Sequence, residues 1–404
     1  MRAIPLRTLR LIAAVGCTAL LAAACASASS GSTPGGSGAA AKLTGAPVKI
    51  GIVQDVGAPG NDHPEGLAGA EAAASYVNAH GGFVGNRPVQ VVTCNSMGTP
   101  IASKQCAQEF ASDKVIAVGG VGEDFPTSGL PVLQAAGIPF VGLGVSAQDF
   151  SNPVSYPIFG TVASGYPAEV KYFLKQGVKS VAIVSIDIPE AIAVADLALV
   201  KPLVALGIKA VVIPATAGAA DMTPYVEQAL KAKPQMMIML QDEADDIRVA
   251  QAAEQLGYTG EFSPAGYGAS YDKELSPAAV KKSEVVTSLD FASVSPQQQI
   301  FVSALNEYQH GTILNEYSAD EFSEVMTLQT ICKSLGAANC TAAGVLSTVK
   351  APHNIPIFMG KALDVSTPVT FAGVPTHVYN PWLRIDTLNP NGTYTDIGGG
   401  WVEG

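Results

Sequence analysis

Charged residues are scarce in this sequence, and basic ones are the scarcer kind. Only 14% of its 404 residues are charged, and 34 acids stand against 23 lysines and arginines, which gives a formal net charge of −11. A nucleic-acid-binding surface needs concentrated positive charge, so the composition argues against nucleic acid as a partner. With 48% hydrophobic residues, the chain has enough material for the cores of one large domain or two ordinary ones.

Apolar runs long enough to span a membrane are also lacking. Residues 11–24 are uncharged and largely apolar, but such a stretch is too short to cross the hydrocarbon of a bilayer. Arg2, Arg7 and Arg10 precede it, and Cys25 follows three alanines. This layout is typical of a secretory signal and resembles a bacterial lipoprotein signal. We therefore expect a signal peptide over residues 1–24, a lipid on Cys25, and a protein anchored at the extracytoplasmic face of the cell membrane.

The cleavage site has two alternatives. Ala22 stands where lipoprotein signals usually have leucine, and Cys17 is a competing lipidation site. Cleavage at Cys25 is favoured because it leads directly into a run rich in Ser, Gly and Ala, whose composition is that of a flexible tether over residues 25–45. In the other interpretation, Cys17 and Cys25 have no role in processing, and the segment is an ordinary secretory signal cleaved at an Ala-x-Ala site. Removal of the three arginines makes the remaining chain still more acidic.

Four cysteines remain, in two close pairs. In an oxidising compartment this arrangement predicts the disulfides Cys94–Cys106 and Cys332–Cys340. A zinc site is the rival interpretation, but neither pair has C-x-x-C spacing and the five histidines are scattered. No phosphate-binding G-x-x-x-x-G-K-[ST] motif occurs, and Gly120-Val121-Gly122 lacks the third glycine of a dinucleotide fingerprint. We expect neither a metal nor a cofactor.

Short apolar runs alternate with amphipathic stretches, which predicts βαβ units and parallel sheets covered on both faces. A first series of strands is expected at residues 48–54, 88–94, 115–118 and 139–142, and a second at 181–186, 210–213 and 236–240. One continuous helix is expected over residues 189–206. The fold class is therefore α/β, with two consecutive Rossmann-like modules.

Three segments carry a family resemblance. Asn78–Val89, Ala136–Pro139 and Asp221–Pro234 resemble turns and helix starts of type I periplasmic solute-binding proteins of the branched-chain amino-acid (Leu/Ile/Val) group. The resemblance implies two lobes joined by a three-crossing hinge, with crossings near residues 160–163, 288–292 and 357–367. It divides the chain into a first lobe of residues 46–162 plus 293–357 and a second lobe of residues 163–292 plus 358–404.

The same resemblance implies a function. A protein of this group closes on a small-molecule ligand and delivers it to the permease and ATPase of an ABC importer, here as an expected monomer. A ligand-sensing receptor subunit with the same fold is the alternative. An extracellular hydrolase is a third hypothesis, but Asp245-Asp246 suits a helix start and Ser146 lacks the glycine of a nucleophile elbow, so we do not expect an enzyme.

Ligand contacts in this family lie on loops at the carboxyl ends of strands. Transferred by position, they fall on Glu123, Asp124, Phe125, Gly144, Ser146, Asp187, Gln241, Asp242 and Tyr267. Acids occupy places where amino-acid binders have hydroxyl or aromatic residues, so we expect a neutral polar or cationic solute rather than a standard branched-chain amino acid. In the other interpretation, these acids lie on solvated lips of the cleft. His63 is a further candidate in the first loop.

Overall fold

The computed structural model describes residues 43–58, 62–160, 162–265, 271–371, 374–389 and 393–404. The expected signal peptide, Cys25, most of the tether and Tyr267 lie outside the described residues. Among the helices in those ranges, none combines the length and apolar character that a membrane span requires.

The first lobe is built around a parallel sheet. Its elements are β1 (Val48–Gln54), α1 (Pro64–Ala79), β2 (Val89–Asn95), α2 (Pro100–Asp113), β3 (Val118–Gly119), α3 (Pro126–Ala136) and α4 (Ala147–Ser151). The strand order is β2-β1-β3, and parallel bridges from Val118 to Phe140 and from Phe140 to Ser155 extend the edge. The strand β1 is central and almost wholly buried, as its near-continuous apolar run predicts.

A second parallel sheet forms the second lobe. Its elements are α5 (Val162–Gln176), β4 (Ser180–Ile186), α6 (Pro189–Ala195), α7 (Lys201–Ala205), β5 (Lys209–Ala215), α8 (Thr223–Leu230), β6 (Met236–Leu240), α9 (Glu243–Gln255), β7 (Glu261–Pro264), α10 (Tyr271–Glu274), α11 (Pro277–Val280) and β8 (Glu284–Thr287). The strand order is β5-β4-β6-β7. The two α/β modules inferred from periodicity are therefore present.

One helix departs from the expectation. The continuous helix expected over residues 189–206 is interrupted by a π-helical turn at Asp196–Val200, between α6 and α7. Pro202 follows this turn inside the helical segment. Proline has no N–H to donate, and its ring clashes with the preceding turn, so regular α-helical hydrogen bonds are disfavoured there. The wider π-turn, with its i→i+5 hydrogen bonds, stands directly before this residue.

The chain then returns to the first lobe and ends in the second. The remaining elements are α12 (Pro296–Tyr308), α13 (Glu316–Leu335), α14 (Ala342–Lys350), β9 (Asn354–Ile355), β10 (Leu363–Asp364), β11 (Thr370–Phe371), β12 (Val374–Pro375), β13 (Trp382–Leu388), β14 (Tyr394–Asp396) and β15 (Val402–Glu403). Helices α12 and α13 pack against α1, whereas β13 pairs antiparallel with β8. Thus α13 belongs to the first lobe and β13 to the second.

A glycine permits the close packing of α1 and α13. A Cβ atom on Gly69 would lie 2.0 Å from the carbonyl oxygen of Ser318, so any larger residue would force the two helices apart. Asn315 caps α13 by accepting a hydrogen bond from the Ser318 N–H. This packing fixes the position of the first turns of α13, which reach the functional site described below.

Both disulfides expected from the cysteine spacing are present. Cys94 of β2 is bonded to Cys106 of α2, and Cys332 of α13 is bonded to Cys340, with Cα atoms 5.6 Å and 4.9 Å apart respectively. Both bridges join elements of the first lobe, where they restrict the conformations available to the unfolded chain.

Passages between the lobes lie side by side. Ser288 Oγ accepts a hydrogen bond from the Gly160 N–H at 2.7 Å, and Leu289 forms an antiparallel bridge with Gly360. Met359, Leu363 and Val365 pack in the same core as β1. The last passage to the second sheet therefore falls between Val365 and Trp382, a window that overlaps only the end of the expected range 357–367.

The contact between Ser288 and Gly160 gives a first testable prediction. In Ser288→Ala, the Gly160 N–H loses its partner beside a residue that is only 2% exposed, so we expect the free energy of unfolding to fall by about 1–3 kcal/mol in urea titrations. Ser347→Ala is the control, because that hydroxyl is exposed on α14 and should matter by less than about 0.5 kcal/mol. If both substitutions lower the free energy of unfolding equally, the contact between Ser288 and Gly160 has no special role in stability.

Candidate functional site

A cleft lies between the carboxyl ends of the strands of the two sheets. Its lining comes from the segment after β3, the segment after Phe140, and the ends of β4, β6 and β7. Two adjoining parts, of about 820 and 880 Å³, share residues from both lobes: Val121, Leu143, Val162, Tyr166, Leu240, Ala265 and Tyr317. The arrangement is that of a clamp, because a molecule in this cleft would touch both lobes at once.

Both parts contain aliphatic and acidic residues, and they are named here for the side chains that distinguish them. The aliphatic arm, the larger part, is marked by the side chains of Val145, Ile186, Ile188, Ala191 and Val194. The acidic arm, the smaller part, is marked by Glu169, Glu316 and Asp320 together with Ser263 and Ser288. Among the described residues that line either arm, none is lysine, arginine or histidine.

The floor of the cleft is fixed by a buried polar network. Glu321 of α13 accepts hydrogen bonds through Oε1 from the Val121 N–H at 2.9 Å and from Gln54 Nε2 at 3.1 Å. Gln54 Oε1 in turn accepts from the Gly122 N–H at 2.7 Å. The loop after β3 is therefore held from below by groups of β1 and α13.

The residues expected in the loop after β3 divide into two groups. Glu123 and Asp124 line the aliphatic arm, whereas Phe125 is not among its lining residues and stands at the start of α3. Glu123 also lines a smaller pocket of about 230 Å³ with Phe110 and Leu133. Its carboxyl group thus lies at the boundary between the cleft and the core of the first lobe.

The surroundings of Glu123 favour its neutral form. Burial, helped by the nearby carboxyl groups of Asp55, Asp149 and Asp124, raises the pKa of Glu123 to about 8, against the opposing effect of a hydrogen bond with Ser103. In this protonated form it can donate a hydrogen bond as well as accept one.

Three of the predicted contacts are displaced by one residue. Gly144 and Ser146 do not line the cleft, but Val145 between them does. Ser146 instead accepts from the Asp149 N–H as the cap of α4. Asp187 is likewise absent from the lining, although its neighbours Ile186 and Ile188 are present, so the side chains that enter the cleft here are apolar.

Gln241 and Asp242 face different surroundings. Gln241 lines the aliphatic arm and is only 6% exposed, yet neither its Oε1 nor its Nε2 has a hydrogen-bond partner in the described structure. Asp242 accepts from the Asp245 N–H at 2.7 Å as the cap of α9 and lines a separate groove. Gln241 is therefore equipped to bond a ligand, whereas Asp242 serves the helix.

His63 lies in that separate groove, next to the cleft. Its ring stacks on Tyr317 with centroids 3.4 Å apart, and its Nδ1 is 3.4 Å from Glu65 Oε1. Burial favours the neutral form of Glu65, but hydrogen bonds from His63 and Asn315 outweigh it and lower the pKa of Glu65. His63 thus supports Tyr317 from behind, and it does not line the cleft itself.

Sequence reasoning missed much of the cleft lining, including four residues on helices: Tyr166 and Glu169 of α5, and Tyr317 and Asp320 of α13. Burial raises the pKa of Glu169 to about 7, against a hydrogen bond from Ser263. Burial also raises the pKa of Asp320 well above its ordinary value, with Glu316 and Glu324 adding to the effect. Acids among the buried apolar residues of a helix were the available signal, because such acids need a reason to be there.

Comparisons with known proteins agree with this architecture. The family model described as periplasmic binding protein matches residues 47–371, and the chain therefore belongs to that family. The family resemblance inferred from the sequence is thus confirmed, and so is the two-lobed type I fold. None of the curated proteins matches the chain.

Several solved structures share the fold. An ABC transporter substrate-binding protein from Aeropyrum pernix is 15% identical with a TM-score of 0.74, covering 89% of this chain and 96% of that one. A leucine-binding protein from Thermotoga maritima is 15% identical with a TM-score of 0.69, covering 88% and 99%. A fatty acid ABC transporter substrate-binding protein from Thermomonospora curvata is 15% identical with a TM-score of 0.69, covering 90% and 92%.

The buried acids give a prediction about pH. Burial raises the pKa of Glu324 to about 7, although contacts with Glu321 and the Gly120 N–H lower it. Since an unfolded glutamate releases its proton at lower pH, the folded state holds more protons between these values, and the free energy of unfolding falls as pH rises. The raised pKa values of Glu123 and Glu169 act in the same direction.

We therefore expect urea titrations to give the highest free energy of unfolding at about pH 5, and a decline of this free energy up to about pH 8. Glu324→Gln should flatten this decline, because it removes one of the titrating groups. The exposed Glu109→Gln on α2 is the charge-matched control and should leave the slope unchanged. Stability that increases over this interval would show that the buried acids are ionised at little cost.

Proposed function

We propose that this chain is the lipid-anchored, extracytoplasmic solute-binding subunit of an ABC importer, and that it captures its ligand by closure of the two lobes. The observation that carries the proposal is the cleft itself, which Tyr317 of the first lobe and Tyr166 of the second line together. The lobes are joined by neighbouring passages of the chain, a geometry suited to hinge closure around a ligand. The proposed activity is binding and not catalysis.

The ligand is proposed to be neutral or cationic, with an apolar portion. Aliphatic side chains such as Ile186, Ile188 and Val194 line one arm of the cleft, and an apolar group placed against them would be removed from water. The polar groups nearby are carboxyl groups, an amide and hydroxyls, with no cationic side chain among the described lining residues. An anionic ligand would therefore find no charge to balance its own.

The Thermomonospora relative bears on this point. It is described as a fatty acid binder, which is a ligand with an apolar chain and a carboxylate head. The aliphatic arm here suits such a chain, but Glu169 and Asp320 do not suit the head. We therefore propose an amphipathic ligand without net negative charge.

Attachment and partners follow from the amino-terminal segment. We propose that Cys25 carries the lipid, that a flexible tether leads to the folded body, and that a separate permease and ATPase provide transport. The sequence lacks a phosphate-binding loop of its own, in agreement with energy supplied by partner subunits. The body is proposed to act as a monomer.

The ligand class can be tested by thermal unfolding of the purified, exported protein across panels of amines, amides, polyols, amino acids and fatty acids. A ligand present at about 100 times its dissociation constant should add about 2.7 kcal/mol to the free energy of unfolding. We expect neutral or cationic amphipathic compounds to raise the unfolding temperature, and small-angle scattering to show a smaller radius of gyration with them. Stabilisation by α-amino acids or fatty acids alone would contradict the proposed ligand class.

The lipid anchor can be tested in cells by labelling with a fatty acid that carries a clickable group. Cys25→Ser should abolish labelling and release the protein from the membrane fraction, because only a cysteine thiol accepts the lipid. Cys17→Ser is the matched control, and it should retain both the labelling and the location in the membrane fraction. Loss of label in Cys17→Ser, with label kept in Cys25→Ser, would move the processing site to Cys17.

A further inference from the structure

The acidic arm contains two carboxyl groups from opposite lobes. Glu169 of α5 and Asp320 of α13 both line it, and each residue is only 2% exposed. Oε1 of Glu169 accepts a hydrogen bond from Ser263, whereas Oδ1 of Asp320 has no hydrogen-bond partner in the described structure. Closure of the lobes on a ligand would place that ligand between these two acids.

Several buried acids of the chain have specific partners. Asp149 completes the capping box of α4, Glu321 Oε1 accepts from the Val121 N–H, and Asp245 pairs with Arg248. Asp320 Oδ1 has no hydrogen-bond partner in the described structure, a property that it shares with carboxyl oxygens of Glu123, Glu284, Glu324 and Asp386. Of these five residues, Asp320 is the one that lines the acidic arm, where a bound molecule can supply the missing partner.

Gln241 provides an independent indication of a ligand. It lines the aliphatic arm, and both polar atoms of its buried amide lack partners in the described structure. Amide groups in such positions are normally satisfied by hydrogen bonds. The cleft thus presents polar atoms without partners in both arms, in the described structure.

The rings of Tyr166 and Tyr317 line both arms and connect them. Aromatic faces attract cations, especially where water is excluded. An ammonium group in the acidic arm would therefore meet carboxyl groups and tyrosine rings, while its apolar substituent extended along Ile186, Ile188 and Val194.

We propose that the cleft is specific for an amphipathic amine, whose ammonium group binds between Glu169 and Asp320 and whose apolar part occupies the aliphatic arm. This inference rests on the proposed function of the cleft as a solute-binding site. The inference narrows the proposed ligand class, from neutral or cationic compounds to cationic ones. It also assigns recognition of the ligand's charge to residues on two helices, and not to the loops at the strand ends.

Binding is expected to depend on pH. Tyr166 and Glu284 surround Glu169, and Glu316, Glu321 and Glu324 surround Asp320. With no cation among these groups, both carboxyl groups favour their protonated forms in the empty cleft. An ammonium ion favours the ionised forms, so its binding releases protons and its affinity rises with pH, as long as the amine itself stays charged.

The experiment compares three probes of one length: hexylamine, 1-hexanol and hexanoate. Calorimetric titration of the exported protein near about pH 7.5 should give an affinity for hexylamine at least about tenfold above that for 1-hexanol, as expected for a charge-assisted contact. Glu169→Gln and Asp320→Asn should each lower the affinity for hexylamine about tenfold and leave the affinity for 1-hexanol unchanged. Glu109→Gln, an exposed change of equal charge, should alter neither.

The wild-type protein supplies a test that does not depend on folding of the variants. Titrations in two buffers of different ionisation enthalpy should reveal proton release with hexylamine but not with 1-hexanol. Equal affinities for hexylamine and 1-hexanol, or tighter binding of hexanoate, would overturn the amine assignment while leaving a solute-binding cleft in place. If none of the three probes binds, the amine assignment is also overturned. The proposed solute-binding function would then be contradicted only if no compound of the wider ligand panel binds.

Discussion

The functional geometry depends on one buried carboxyl group, that of Glu321 on α13. By accepting from Val121 and Gln54, it joins the loop after β3 to the helix that supplies Tyr317 and Asp320. The close approach of α1 and α13 at Gly69 holds this helix in register. The floor and one wall of the cleft are therefore joined by buried hydrogen bonds and close packing, an arrangement that preorganises them.

Local patterns in the sequence predicted the fold well. Strands such as β1 and β4 are short, apolar and buried, and the spacing of Cys94 and Cys106 leaves few other pairings. These features depend on a few neighbouring residues, so the sequence contains the information directly.

The residues that line the cleft were predicted less well, because longer-range geometry decides which side chains reach it. Along an extended segment successive side chains point in opposite directions, so Asp187 and Ile188 cannot both enter the cleft in the same way. The positions assigned by resemblance fall on loops that line the cleft, and at two of these loops the lining side chain is the neighbouring residue. Glu169 and Asp320 depend on how helices pack against distant elements, which no local pattern specifies.

The distribution of the disulfides makes the two lobes mechanically unequal. Both bridges brace the first lobe, whereas no cysteine occurs between residues 107 and 331, the stretch that contains the second sheet. Local opening of the second lobe is limited by noncovalent packing alone. In an environment rich in extracellular proteases, the second lobe is thus where cleavage would begin, and a bound ligand that joins it to the braced lobe would also protect the protein from degradation.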